Sequence, residues 1–163
     1  MKAHLPAIVI GVGLGGFFDG IVPHQLLQWH HLASNVVPPD SVEGLELNYF
    51  LDGLFHQAIW LVTLAGVVLL YRELVGHPSA AHPRPSLAGG ILIGFGAFNV
   101  ADSIAFHWLL DLHNIRPGPD WLMYDLAYFG WGVAMVGAGS WRLARVSRSA
   151  RRGPGPGASH RAS

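Results

Sequence analysis

The sequence predicts an all-α fold, a polytopic membrane four-helix bundle made of two parallel two-helix repeats. Three observations carry that prediction. Hydrophobic residues make up 51% of the 163 positions and charged residues only 12%, about half the roughly 25% of an ordinary soluble domain. Four apolar stretches, Leu5 to Phe18, Ala58 to Tyr71, Leu87 to Ala101 and Leu126 to Trp141, contain no charged residue. The first and third of them belong to segments that repeat one another.

A bilayer span needs about twenty mostly apolar residues, so each stretch must extend through flanking His, Asp and Gln. Helices are expected at about 5–32, 46–72, 86–114 and 120–146, forming one domain over residues 1–146. Pro, Gly and Ser mark the breaks between them, "ASNVVPPDSVEGLELN", "RELVGHPSAAHPRPS" and "NIRPGPD". With four alternating crossings, Lys2, Arg72, Arg84 and the arginines from Arg142 to Arg161 share one side, and only Arg116 lies opposite. The positive-inside rule then makes both termini cytoplasmic and sets the acidic loop of Asp40, Glu43 and Glu46 outside. A bacterial inner-membrane location fits that topology. Residues 147–163 read as a disordered basic tail that fixes topology or touches anionic lipid. No small-x-small cleavage site follows the first apolar run, against a signal peptide. The body of the chain has no basic footprint for nucleic acid.

Shifting the sequence by eighty-three positions lays Asp19, Ile21, His24, Leu26, Leu27 and His30 on Asp102, Ile104, His107, Leu109, Leu110 and His113. Apolar bias can imitate the aliphatic matches but not Asp, His and His in one register. A weaker match, at a shortened offset, sets Asp52, Ala65, Gly66, Leu70 and Arg72 on Asp125, Ala138, Gly139, Leu143 and Arg145. The unit is therefore a helix pair used twice, returning the chain to the same side, a parallel repeat about the membrane normal. Gly11, Gly13 and Gly16 spell G-x-G-x-x-G, but Gly11 and Gly13 recur as Gly94 and Gly96 while Gly16 becomes Asn99. That recurrence suits close helix packing. No convincing strand leads to an acidic residue at the distance a dinucleotide site requires, so no nucleotide is expected.

At about 100° per residue, Asp19 aligns with His30 and His24 with His31, giving two polar stripes on the first helix. The third helix aligns Asp102 with His113, and the second carries Asp52 and His56 one turn apart. Ionisable groups at membrane depth turn inward to pair or to bind something. His24, His56 and His107 are expected to share one layer toward the outer leaflet, with Asp52 or Asp125 as ligand or support and Asp19 and Asp102 beneath. His30, His31 and His113 complete the candidate metal set near the interface. With no cysteine in the chain, zinc, iron or copper(II) is favoured over copper(I). A haem between His24 and His107 is a variant. Three other readings stay open: a non-catalytic scaffold or assembly factor whose His and Asp groups only fix packing, working with a membrane-protein partner or as a homo-oligomer; a metal-dependent enzyme with an open coordination position; and proton movement through Asp19 and Asp102, which would usually want a deeper, continuous polar chain.

The segments "DGIVPHQLLQWHH", "DGLFHQ" and "FNVADSIAFHWLLDLHNIR" resemble a bacterial predicted-membrane-protein family catalogued as domain of unknown function 2243. The resemblance covers about residues 5–145, and its most specific parts are Asp19, Gly20, His24, Gln25 and Gln28 to His31, then Asp52, Gly53 and His56, then Asp102, His107, His113 and Arg116. It implies a multi-pass membrane protein and no particular activity. The family pattern ends the third helix in a histidine pair, where this chain has Asn114 as the second member, which weakens the outermost part of a site. Pro23 is expected to kink the first helix.

Overall fold

The structure is a computed structural model that describes residues 4–76 and 84–151. It is all-helical, without a strand among the described residues. Helix α1, Leu5–Asp19, opens with Pro6 in its first turn, where the missing N–H would have no partner anyway. It continues without interruption as a π-helical segment, Gly20–Leu26. Helix α2 runs from Val42 to Gly76. Helix α3, Arg84–Asp102, continues as a second π segment, Ser103–Leu109, and α4 spans Trp121–Arg151. The tail expected over 147–163 lies outside the described residues beyond Arg151.

The first and third helices end sooner than periodicity suggests, at Leu26 and Leu109 rather than 32 and 114. Gln28 and Asp111 both adopt φ of 49°, a left-handed conformation that stops a helix and reverses the chain. His30, His31 and His113 therefore sit on extra-helical loops that fold back over the helix ends. α2 begins at Val42 instead of 46, and α4 runs past 146 to Arg151.

The π segments also correct the two-stripe picture. In an α-helix, residues five apart point about 140° from each other, which would separate Asp19 from His24. The i→i+5 turn stacks such residues, and His24 Nε2 comes to 3.3 Å from an Asp19 carboxylate oxygen. His107 and Asp102 do the same at 3.1 Å. Pro23 lies in the first π segment, but its counterpart in the second is Phe106. The same widening without proline shows that the expected proline kink is not what shapes the helix.

The helices pack in the order α2, α1, α3, α4, with α1 and α3 as the central pair. A Cβ on Gly11 would overlap the Ile91 carbonyl, and one on Gly94 would overlap the Ile8 carbonyl. The two backbones thus touch at their crossing, as small residues permit in membrane helices. Further out the contacts trade volumes. Gly16 receives the Ile59 side chain, whereas Asn99, eighty-three positions on, packs against Gly132.

Leu5–Leu26, Val42–Gly76 and Leu87–Leu109 are long and apolar enough to cross a membrane. On α2, Phe50, Leu54, Leu61, Leu64, Val68 and Val75 are exposed, a surface suited to lipid rather than water. The interior is the inverse of a soluble core. Its largest fully buried side chains are His24, His107, His113, Asn48, Asn99, Asp19, Asp125 and Ser103.

Gly94→Ala is expected to lower the melting temperature of the detergent-solubilised protein, because the new methyl meets backbone and overpacking costs about 1–3 kcal/mol. Gly53→Ala, with open space around its Cβ position, should hold or raise it through better helix propensity, by up to about 1 kcal/mol. Thermal unfolding of the two variants side by side checks the contrast.

Candidate metal centre

Six donor-bearing side chains converge where the π segments meet the returning loops: Asp19, His24 and His30 from one half, Asp102, His107 and His113 from the other. All six are at most 3% exposed. The rings of His30 and His113 stack in the middle, centroids 4.6 Å apart and 4° from parallel. His24 stands edge-on to His30 at 4.5 Å, and His107 edge-on to His113 at 4.8 Å.

Each imidazole is held by its Nδ1 side. The Nδ1–H of His30 donates to the Ile115 carbonyl at 2.8 Å, and that of His113 to the Leu32 carbonyl at 3.0 Å. His24 donates to Asp52 Oδ1 at 2.9 Å, and His107 Nδ1 lies 3.2 Å from Asp125 Oδ1. The opposite nitrogens, Nε2 of His24, His30, His107 and His113, are buried without a hydrogen-bond partner, as is Nδ1 of His107. The Asp19 and Asp102 oxygens stand within ion-pair range of His24 and His107 but lack the alignment of a hydrogen bond. Such anchoring on Nδ1 fixes the tautomer of His30 and His113 and leaves each Nε2 a free lone pair, the usual preparation of a metal-binding histidine.

The ligand atoms of His24, His30 and His113 lie within 4.8 Å of one another, as do those of Asp102, His107 and His113. The groups share His113, so they describe one site rather than two independent ones.

Asp52 and Asp125 stand behind the site. Asp52 accepts from His24, from His31 Nδ1–H at 2.8 Å and from the Leu32 amide at 2.8 Å. Asp125 accepts from the Ile115 amide at 2.8 Å and from the Asn114 amide group at 3.0 Å. Asn114 therefore donates to Asp125 as His31 donates to Asp52. His31 is an orienting group whose Nδ1 is already engaged. His56, expected beside His24 and His107, stays outside both ligand groups. Its Nδ1–H bonds the Asp52 carbonyl one turn back at 2.7 Å, and its Nε2 lies against Gly20.

Sequence reasoning passed over Asn48, Tyr128 and Asn99. Asn48 is wholly buried and binds the Val37 and Gly44 carbonyls and the Ala33 amide, fastening the first returning loop to α2. Tyr128 stacks on His107 at 5.9 Å as Phe55 stacks on His24 at 5.9 Å. Those two aromatics are seventy-three positions apart, the same offset as Asp52 and Asp125, so the weaker register carried that signal. At the outer end Arg116 lies over the Trp29 and Tyr124 rings at 5.5 and 5.1 Å, clamping the two loops.

Fold and site together define a multi-pass helical membrane protein with a polar, histidine-rich interior. The chain belongs to the family described as predicted membrane protein DUF2243, whose model matches residues 6–146. No curated protein and no solved structure matches it.

His31→Asn, which copies Asn114, is expected to leave thermal stability within about 0.5 kcal/mol of wild type. Asp52→Ala strips three donors of their acceptor and should cost about 3–5 kcal/mol. Unfolding of both variants in the same detergent tests the assignment of His31 as a support.

Proposed function

We propose that this protein holds a transition-metal ion inside the membrane, bound by Nε2 of His24, His30, His107 and His113 with Asp19 and Asp102. The observation that carries the reading is the pair of buried Nε2 atoms of His30 and His113, left unpaired while each ring's Nδ1–H binds a loop carbonyl and with His24, His107, Asp19 and Asp102 packed around them. An unpaired buried polar atom costs about 1–3 kcal/mol, so the two together are a large fraction of the stability of a domain. Packing alone gives no reason to carry that cost. A metal ion held by these nitrogens would remove it. Nitrogen and carboxylate donors without thiolate suit zinc, iron or copper(II).

In the same reading, α4 crosses the membrane through its charge-free stretch from Leu126 to Trp141, and both termini face the cytoplasm. The distribution of basic residues supports this orientation. It places the metal toward the outer leaflet, capped by the returning loops.

Elemental analysis of protein purified without chelator is expected to find at least one equivalent of transition metal per chain. His30→Ala and His113→Ala should each reduce it below a tenth, whereas His56→Ala should retain it. Less than a tenth of an equivalent in the wild type, even after anaerobic reconstitution, overturns the reading. Since the chain lacks cysteine, Asp40→Cys introduces a single thiol. A membrane-impermeant maleimide should label it in intact cells if the acidic loop is external.

A further inference from the structure

The two halves of the site differ at one chemically active position. Where Phe55 covers His24, Tyr128 covers His107 in the same stacked pose. The exchange adds a single hydroxyl to an otherwise matched arrangement. Tyr128 is 7% exposed and its hydroxyl has no hydrogen-bond partner. It faces the Asp19 carboxylate and lies within electrostatic reach of Asp102. A second asymmetry adjoins it. Asn99 replaces the small Gly16, packs against Gly132 one turn along α4 from Tyr128, and keeps both polar atoms of its amide buried and unpaired. The same half also has the wider approach. A cavity of about 620 Å³, lined by Asn35, His107, Trp108, Asp111, Asn114 and Trp121, reaches His107 from outside, against about 250 Å³ beside His24 and Asp52.

A hydroxyl contributes nothing to stacking on an imidazole, and a buried tyrosine normally finds a partner for it. Nor does a purely structural α3/α4 contact call for an amide with both polar atoms buried and unpaired. Both are suited to hydrogen-bond an atom that arrives with a bound species. Resting on the metal reading above, we propose that the Tyr128 hydroxyl binds a small exogenous donor molecule or anion on the metal at the His107 side. The class is that of water, hydroxide or a small oxygen- or nitrogen-donor anion. Tyr128 is a positioning residue for that ligand, not a metal ligand.

The test loads the full chain in detergent with cobalt(II) and titrates azide, following the visible cobalt bands. Azide is expected to bind the wild type, and Tyr128→Phe, which copies Phe55, should retain stoichiometric cobalt while weakening azide about tenfold. Phe55→Tyr supplies an equivalent hydroxyl over His24 and should tighten azide, so the proposal does not depend on one variant folding. Stoichiometric cobalt with azide affinity unchanged in both variants, or no azide binding to loaded wild type, overturns this proposal alone. Failure of the wild type to take up cobalt overturns the metal reading with it.

Discussion

Anchoring each imidazole from behind is the constraint around which the rest of the molecule is arranged. A histidine in a membrane core has two nitrogens to satisfy and no water to do it. Here one nitrogen is always engaged at the periphery, by a loop carbonyl or by Asp52 or Asp125, and the other is turned to the centre. The ring cannot rotate to relieve the inner nitrogen without breaking the outer bond. The loops, the π segments and the two supporting carboxylates can all be understood as what that arrangement requires.

The π segments supply the inward aim. An uninterrupted α-helix cannot direct residues five apart toward one point, and each central helix makes this adjustment at the same level. The left-handed residues Gln28 and Asp111 then turn the chain back so that His30 and His113 enter from above. Such local departures are sustained only when the surroundings hold them. Asn48, the Asn35 bonds to Asp111 and Asn114 and the Arg116 clamp provide that hold. The close approach of α1 and α3 at Gly11 and Gly94 fixes the spacing below.

Fold class was readable because lipid exposure leaves a coarse compositional mark, and the converging aspartates and histidines were readable because they recur in register. Helix ends were not. Apolar periodicity passes smoothly through Leu26 and Leu109 into the loops, and nothing in a residue pattern announces left-handed backbone at a glutamine and an aspartate. The α-helical wheel for that reason assigned Asp19 and His24 to separate faces that the π turn merges. His56 was overvalued because depth along a helix says nothing of the direction a side chain takes. Asn114 was undervalued because an amide and an imidazole look unlike in sequence yet donate the same hydrogen bond to an aspartate. Tyr128 was hidden among aromatics expected on any membrane helix, and only its pairing with Phe55 gives it meaning.

The carbonyl bonds to His30 and His113 cross between the halves: Ile115 holds the first ring and Leu32 the second. Neither helix pair can orient its own returning histidine. The site is therefore a joint property of the two pairs. A displacement of either pair would misaim the ring that the other carries, while a difference such as Tyr128 against Phe55 leaves both carbonyl bonds in place.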